Sequence, residues 1–266
     1  AAIAREIVTG KNWRNLRVVA LVSLLLVGNT AFHLEAHFHG SAEYGIRIGI
    51  ATMVLLITVV GGRIVPSFTR NWLARENPGR LPAPIGRIDM SVIVFSAAVL
   101  ALWVARPMGP DTAAALGAAG VAQILRLARW AGDRTWRDRL VLILHVGYAF
   151  VPLGFLLTSA AAFGLVAESA GVHAWTVGAA GTMTLAVMTR ASLGHTGNAL
   201  TASVMTQAIY TAVVTAALAR IGASLFPEWI ESLLHLTVLA WCFAFFGFAV
   251  SFGPLLIGGR QAAAAR

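Results

Sequence analysis

The chain has 266 residues, of which 58% are hydrophobic and 12% charged, with a mean hydropathy of +0.76; a soluble globular domain carries about twice that charged share, so composition excludes one. The formal net charge of +9 lies in short connections between apolar runs rather than in one patch, which speaks against a nucleic-acid-binding face and reads as a set of topology signals. Cys242 is the only cysteine, so an intramolecular disulfide and a thiolate metal cluster are both excluded, and any metal chemistry falls to histidine.

Apolar runs of about twenty residues cross ~30 Å of hydrocarbon. Such runs predict an all-α membrane protein, a single transmembrane helical domain over 1–266. Its bundle has eight spans near 17–36, 44–62, 88–105, 112–128, 140–162, 173–189, 203–220 and 229–254. Glycines such as Gly117, Gly147, Gly154 and Gly178 let helix backbones approach closely.

The first span runs into His33-Leu34-Glu35-Ala36-His37-Phe38-His39. His33 and His37 stand four apart and share a face if the helix continues that far, and imidazoles at that spacing chelate copper, zinc or nickel. Glu35 is available to accept an imidazole N–H. His37 and His39 read equally well as solvated loop residues, whereas His33 lies inside the span, where a polar group needs a partner. Arg47, just inside the second span, needs an anion at that depth, and an acidic side chain or a haem propionate would serve. Residues 78–84 form a proline-rich connector. Asp89, at the start of the third span, suits a helix N-terminus. Arg126, near the end of the fourth, is expected to snorkel to the interface.

His145 lies a short way into the fifth span and His173 opens the sixth. Residues 190–197 read Arg-Ala-Ser-Leu-Gly-His-Thr-Gly, which sets His195 between glycines. Two readings of His195 are open. It pairs with His145 to hold haem iron axially from facing helices, or it caps the seventh span by hydrogen bonding. His235 is in the last span. No phosphate-binding loop, dinucleotide fingerprint, nucleophile elbow or zinc-protease motif occurs, so no catalytic residue is proposed. Residues 262–265 form an alanine-rich tail expected to be disordered.

Placing each cation on one side of the eight-span scheme puts seventeen of the twenty Lys and Arg residues together, leaving only Arg47, Arg106 and Arg220 toward the other. Both termini are therefore expected in the cytoplasm. The same scheme sorts the histidines by depth. His33, His37, His39, His173 and His235 gather near the outer face, and His145 and His195 near the inner one. The layers are separated by roughly 30 Å, so no single ion serves both.

Several blocks together resemble the NnrS family of bacterial membrane proteins, in order along nearly the whole chain. They are Asn15-Leu16 with Phe32-His33-Leu34, residues 61–73 (Gly-Gly-Arg-Ile-Val-Pro-Ser-Phe-Thr-Arg-Asn-Trp-Leu) and Leu144-His145-Val146-Gly147-Tyr148. The longest begins at His173-Ala174 and continues through Gly181-Thr182-Met183 to Gly194-His195-Thr196-Gly197. The resemblance implies an inner-membrane protein containing haem and copper that acts in the response to nitric oxide, often beside denitrification genes. By position, His33, His145, His173 and His195 occupy the family's motif histidines. The depth argument adds the division between metals, with haem b at His145 and His195, Arg47 as a candidate for a propionate, and copper at His33, His37, His39 and His173. Asn198-Ala199-Leu200 departs from the family's Arg-Pro-Leu. Members are usually longer on the N-terminal side, so this chain looks like the C-terminal two-thirds of one.

Two further classes compete. One is an accessory subunit in a larger membrane complex, or one completed by missing N-terminal spans, with no redox function of its own. The other is a metal or anion transporter, suggested by Arg47 and the glycine-rich spans.

Overall fold

A computed structural model describes residues 9–10 and 16–257. The described chain is helical, without strands. Its elements are α1 (Leu16–His39), α2 (Glu43–Glu76), α3 (Arg87–Ala105), α4 (Pro110–Ala128), α5 (Arg139–Ala162), α6 (Glu168–His173), α7 (Thr182–His195), α8 (Val204–Leu225) and α9 (Ile230–Ile257). A π-helical stretch, Ala174–Gly181, joins α6 to α7. Six helices, α1, α2, α3, α5, α8 and α9, are long and apolar enough to cross a membrane. The alanine-rich tail 262–265 and the cations Arg5, Lys11, Arg14, Arg260 and Arg266 lie outside the described residues.

α5 is the central rod. Of its most apolar stretch 67% is buried inside the protein, against 6% for α1 and 17% for α9, whose sides face outward. Small residues explain the difference. A Cβ on Gly154 would stand 2.2 Å from the Trp175 ring, and one on Gly178 would stand 2.5 Å from Phe150. The α5 backbone and the π stretch can therefore meet only because both positions lack a side chain. Trp175 completes the contact by donating its indole N–H to the Val151 carbonyl at 3.0 Å.

Helix ends follow from local chemistry. Asp138 caps α5, its carboxylate accepting from the N–H groups of Leu140 at 2.8 Å and Val141 at 3.2 Å. Ser203 does the same for α8 through the N–H of Thr206. Asp89 accepts from the N–H of Gly86 at 3.2 Å, the helix-start role its position predicted.

Two elements differ from the expected spans. The second apolar run ends near residue 62, yet α2 continues to Glu76. Its 34 residues extend about 51 Å, more than the hydrocarbon thickness. The extension survives because Val65, Thr69 and Leu73 are buried against the bundle and hold it in place of lipid. The sixth expected span is no uniform helix: its first half widens into the eight-residue π stretch, where Gly178 and Gly181 admit Phe150 and Trp241 against the backbone. π turns are mostly single bulges, and hydropathy does not distinguish them from α-helix.

Gly154→Ala is expected to force the Trp175 indole out of its place and lower stability by about 1–3 kcal/mol. Thermal unfolding in detergent checks this, with Gly194→Ala, where a Cβ meets nothing, as the unaffected control.

Candidate functional site

Two of the blocks that carried the resemblance, residues 61–73 and 144–148, meet the later part of a third, from Thr182 on, at one end of the bundle, between α2, α4, α5 and α7. Arg126, expected to snorkel, is instead 1% exposed. Its Nε donates to the Asp89 carboxylate at 3.1 Å, and its Nη1 donates to the Thr58 carbonyl at 3.1 Å and to the Tyr148 hydroxyl at 2.8 Å. Tyr148 passes its own proton to Gln123 at 2.8 Å, and Gln123 donates to Ser96 at 2.8 Å. The guanidinium also lies 5.2 Å from the Trp130 ring. Snorkelling fails because Asp89 reaches Arg126 from the neighbouring α3, so the charge is satisfied inside. The pairing crosses 37 positions of sequence and leaves no periodic trace.

The glycines of residues 61–73 make room for this network. A Cβ on Gly62 would stand 2.0 Å from Arg126 Nη2, and one on Gly61 would stand 3.1 Å from the Tyr148 ring. Further along the same block, Phe68 lies 4.3 Å beneath the Arg190 guanidinium. Thr69 meets His145.

His145 is 7% exposed, with Nε2 2.8 Å from the Thr69 hydroxyl. That hydroxyl donates to the Val65 carbonyl at 2.8 Å, so its oxygen is left to accept and Nε2 carries the proton. Nδ1 lies against Gly132, where an added Cβ would stand 2.5 Å away. Neither nitrogen faces space for a metal or a porphyrin in this arrangement, so these residues do not fit an axial haem ligand as they stand.

His195 is exposed at the end of α7. The block around it builds a helix terminus. Gly197 has φ +73°, the N–H of Asn198 reaches the Leu193 carbonyl at 3.0 Å, and that of Gly197 reaches Gly194 at 3.4 Å. This is the paired closure of a left-handed glycine cap, and a histidine in the last turn also complements the helix dipole.

At the other end of the bundle His33, His37 and His39 are exposed on α1, which continues to His39. His33 and His37 therefore do share a helix face. Glu35 is already committed: its carboxylate accepts from the N–H groups of Tyr44 at 3.2 Å and Gly45 at 2.7 Å, capping α2. α1 packs on α2, whereas His173, half-buried at the end of α6, belongs to an element packed on α5 and α8. Among the described residues, no three His, Cys, Asp or Glu side chains come together in a way that could hold a metal ion. Arg47 meets Glu43 at 3.4 Å and lies 4.9 Å from the Tyr44 ring, so an acidic side chain supplies the expected anion.

Comparison with known proteins returned one relationship. A family model described as NnrS protein matches residues 1–260. No curated protein and no solved structure matches the chain.

Asp89→Ala is expected to strand the Arg126 charge and cost about 3–5 kcal/mol, whereas the double change Asp89→Leu/Arg126→Met should recover most of that loss. Chemical or thermal unfolding of the three proteins separates a coupled pair from two independent contributions, which would simply add.

Proposed function

The chain belongs to the NnrS family, and from that premise we propose that it is an integral membrane metal protein of the bacterial response to nitric oxide. The family match over residues 1–260 carries this reading. In it the chain crosses the inner membrane eight times, the six apolar helices being joined by α4 and the α6–π–α7 rod, with both termini in the cytoplasm. The distribution of basic residues supports that orientation.

Of the two histidine layers, the outer one is better suited to a metal. His33 and His37 are free, exposed and four apart on one helix, which suits copper, with His39 or His173 as further ligands. Haem b between His145 and His195, with Arg47 toward a propionate, is the less direct assignment. It requires His145 to leave Thr69, and Arg47, 22 residues before Thr69 on the same α2 and so roughly 33 Å away, lies at the opposite end of the bundle from that haem. The chemistry toward nitric oxide is the metal's, while the chain supplies ligands, depth in the bilayer and exclusion of water.

A second reading is an accessory subunit whose partner covers the flanks. The outward sides of α1 and α9 favour it, with Leu26, Phe38, Leu239, Phe246 and Val250 among the exposed apolar side chains. Lipid satisfies the same surface equally well, so the cofactor content decides between the readings.

Metal analysis and a pyridine haemochrome of the purified protein test the proposal. Copper or haem is expected in stoichiometric amount, and His33→Ala/His37→Ala should remove the copper while leaving any haem. A featureless spectrum together with an empty metal analysis, after expression with both supplied, rejects the metal reading. Stoichiometric co-purification with other subunits under those conditions supports the accessory one.

A further inference from the structure

Between α5 and α8 runs an open groove of about 470 Å³, walled by Leu142, Ile143 and Val146 on one side and by Tyr210 and Val214 on the other. At its polar end it meets a second recess of about 300 Å³, and Arg139 and Gln207 line both. Arg137 stands at the wall of that recess, beside Thr201 and Trp72. The result is one continuous depression that is apolar along a membrane-crossing helix pair and cationic at one end only.

The charge at that end is only partly compensated, for a local reason. Asp138 lines the recess between Arg137 and Arg139, but one oxygen of its carboxylate accepts from the N–H groups of Leu140 and Val141 at the start of α5, and one carboxylate stands against two guanidinium groups. Burial raises its pKa above the ordinary carboxylate value, opposed by those two N–H groups and by the nearby Arg190. Arg137 and Arg139 are exposed, and neither pairs with a carboxylate among the described residues.

We propose that this depression is a binding site for an anionic phospholipid of the leaflet that the basic connections face, its phosphate between Arg137 and Arg139 and an acyl chain along the α5–α8 groove. A soluble anion would use the cations but not the apolar wall, and a zwitterionic lipid would use the wall but gain less from the cations. Only an anionic amphiphile matches both. A juxtamembrane arginine contributes about fivefold in binding to an anionic lipid surface. The site is separate from the histidines of the proposed function and does not depend on it.

Native mass spectrometry of the full chain in detergent, titrated with phosphatidylglycerol or phosphatidylcholine, tests the site. Phosphatidylglycerol is expected to bind more tightly, and Arg137→Gln and Arg139→Gln should each weaken it about fivefold. Thr211→Trp, at an exposed position on the groove wall, should weaken binding of phosphatidylglycerol without removing a charge. Arg63→Gln/Arg87→Gln, which removes two exposed arginines elsewhere, should change nothing. Equal binding of the two lipids, or a loss in the control as large as at the site, overturns the proposal. So does wild-type affinity in both arginine variants. All variants alter exposed positions, and unchanged melting temperatures confirm that any loss is local.

Discussion

A guanidinium enclosed by apolar helices can be held only by anions, carbonyls and hydroxyls that the protein brings to it, since lipid offers none. Arg126 is in that position, and satisfying it recruits three other helices: Asp89 and Ser96 from α3, the Thr58 carbonyl from α2 and Tyr148 from α5, with Gln123 of its own α4 linking Tyr148 to Ser96. Gly62 leaves room for the guanidinium, Gly61 for the Tyr148 ring, and the N–H of Gly86 at the start of α3 holds Asp89. The network sets the register in which α2 through α5 pack. A shift of one residue in any of them would strand a buried charge.

The same region contains two of the motif blocks and part of a third. Gly61, Gly62, Phe68 and Thr69 touch Tyr148, Arg126, Arg190 and His145 in turn. Gly147 receives Met183 and Thr182, and Gly197 ends α7. These motif residues therefore do structural work in the described chain: they close a polar layer that would otherwise be an energetic liability inside a membrane. The histidines differ in their surroundings: His145 is enclosed and tied to Thr69, whereas His195 at the same end and His33 and His37 at the other are exposed.

Lateral exposure completes the functional picture. α5, buried on nearly all sides, organises the bundle, and α1 and α9 form flanks whose apolar side chains point away from it. Between α5 and α8 the packing opens into a groove, because the small and branched residues of the two helices do not fill the space that their crossing leaves. A bilayer closes such gaps with its own molecules, which is why the polarity of the groove's ends matters more than its volume.

Hydropathy, charge and residue order alone determined the membrane class, the all-helical fold, most helix boundaries and the family. These follow from the bilayer's thickness and from the ordered blocks, which are one-dimensional signals. Asp89 at a helix start was legible for the same reason, since capping acts within a few residues. Tertiary structure decided what lies across sequence distance. It decided that Arg126 is buried by Asp89 instead of snorkelling, that Thr69 engages His145, that Glu35 caps α2, and that the sixth rod widens into a π stretch against Phe150 and Trp241. A side chain's partner in a bundle is chosen by which faces meet, and hydropathy reports how apolar a helix is without reporting which way it is turned.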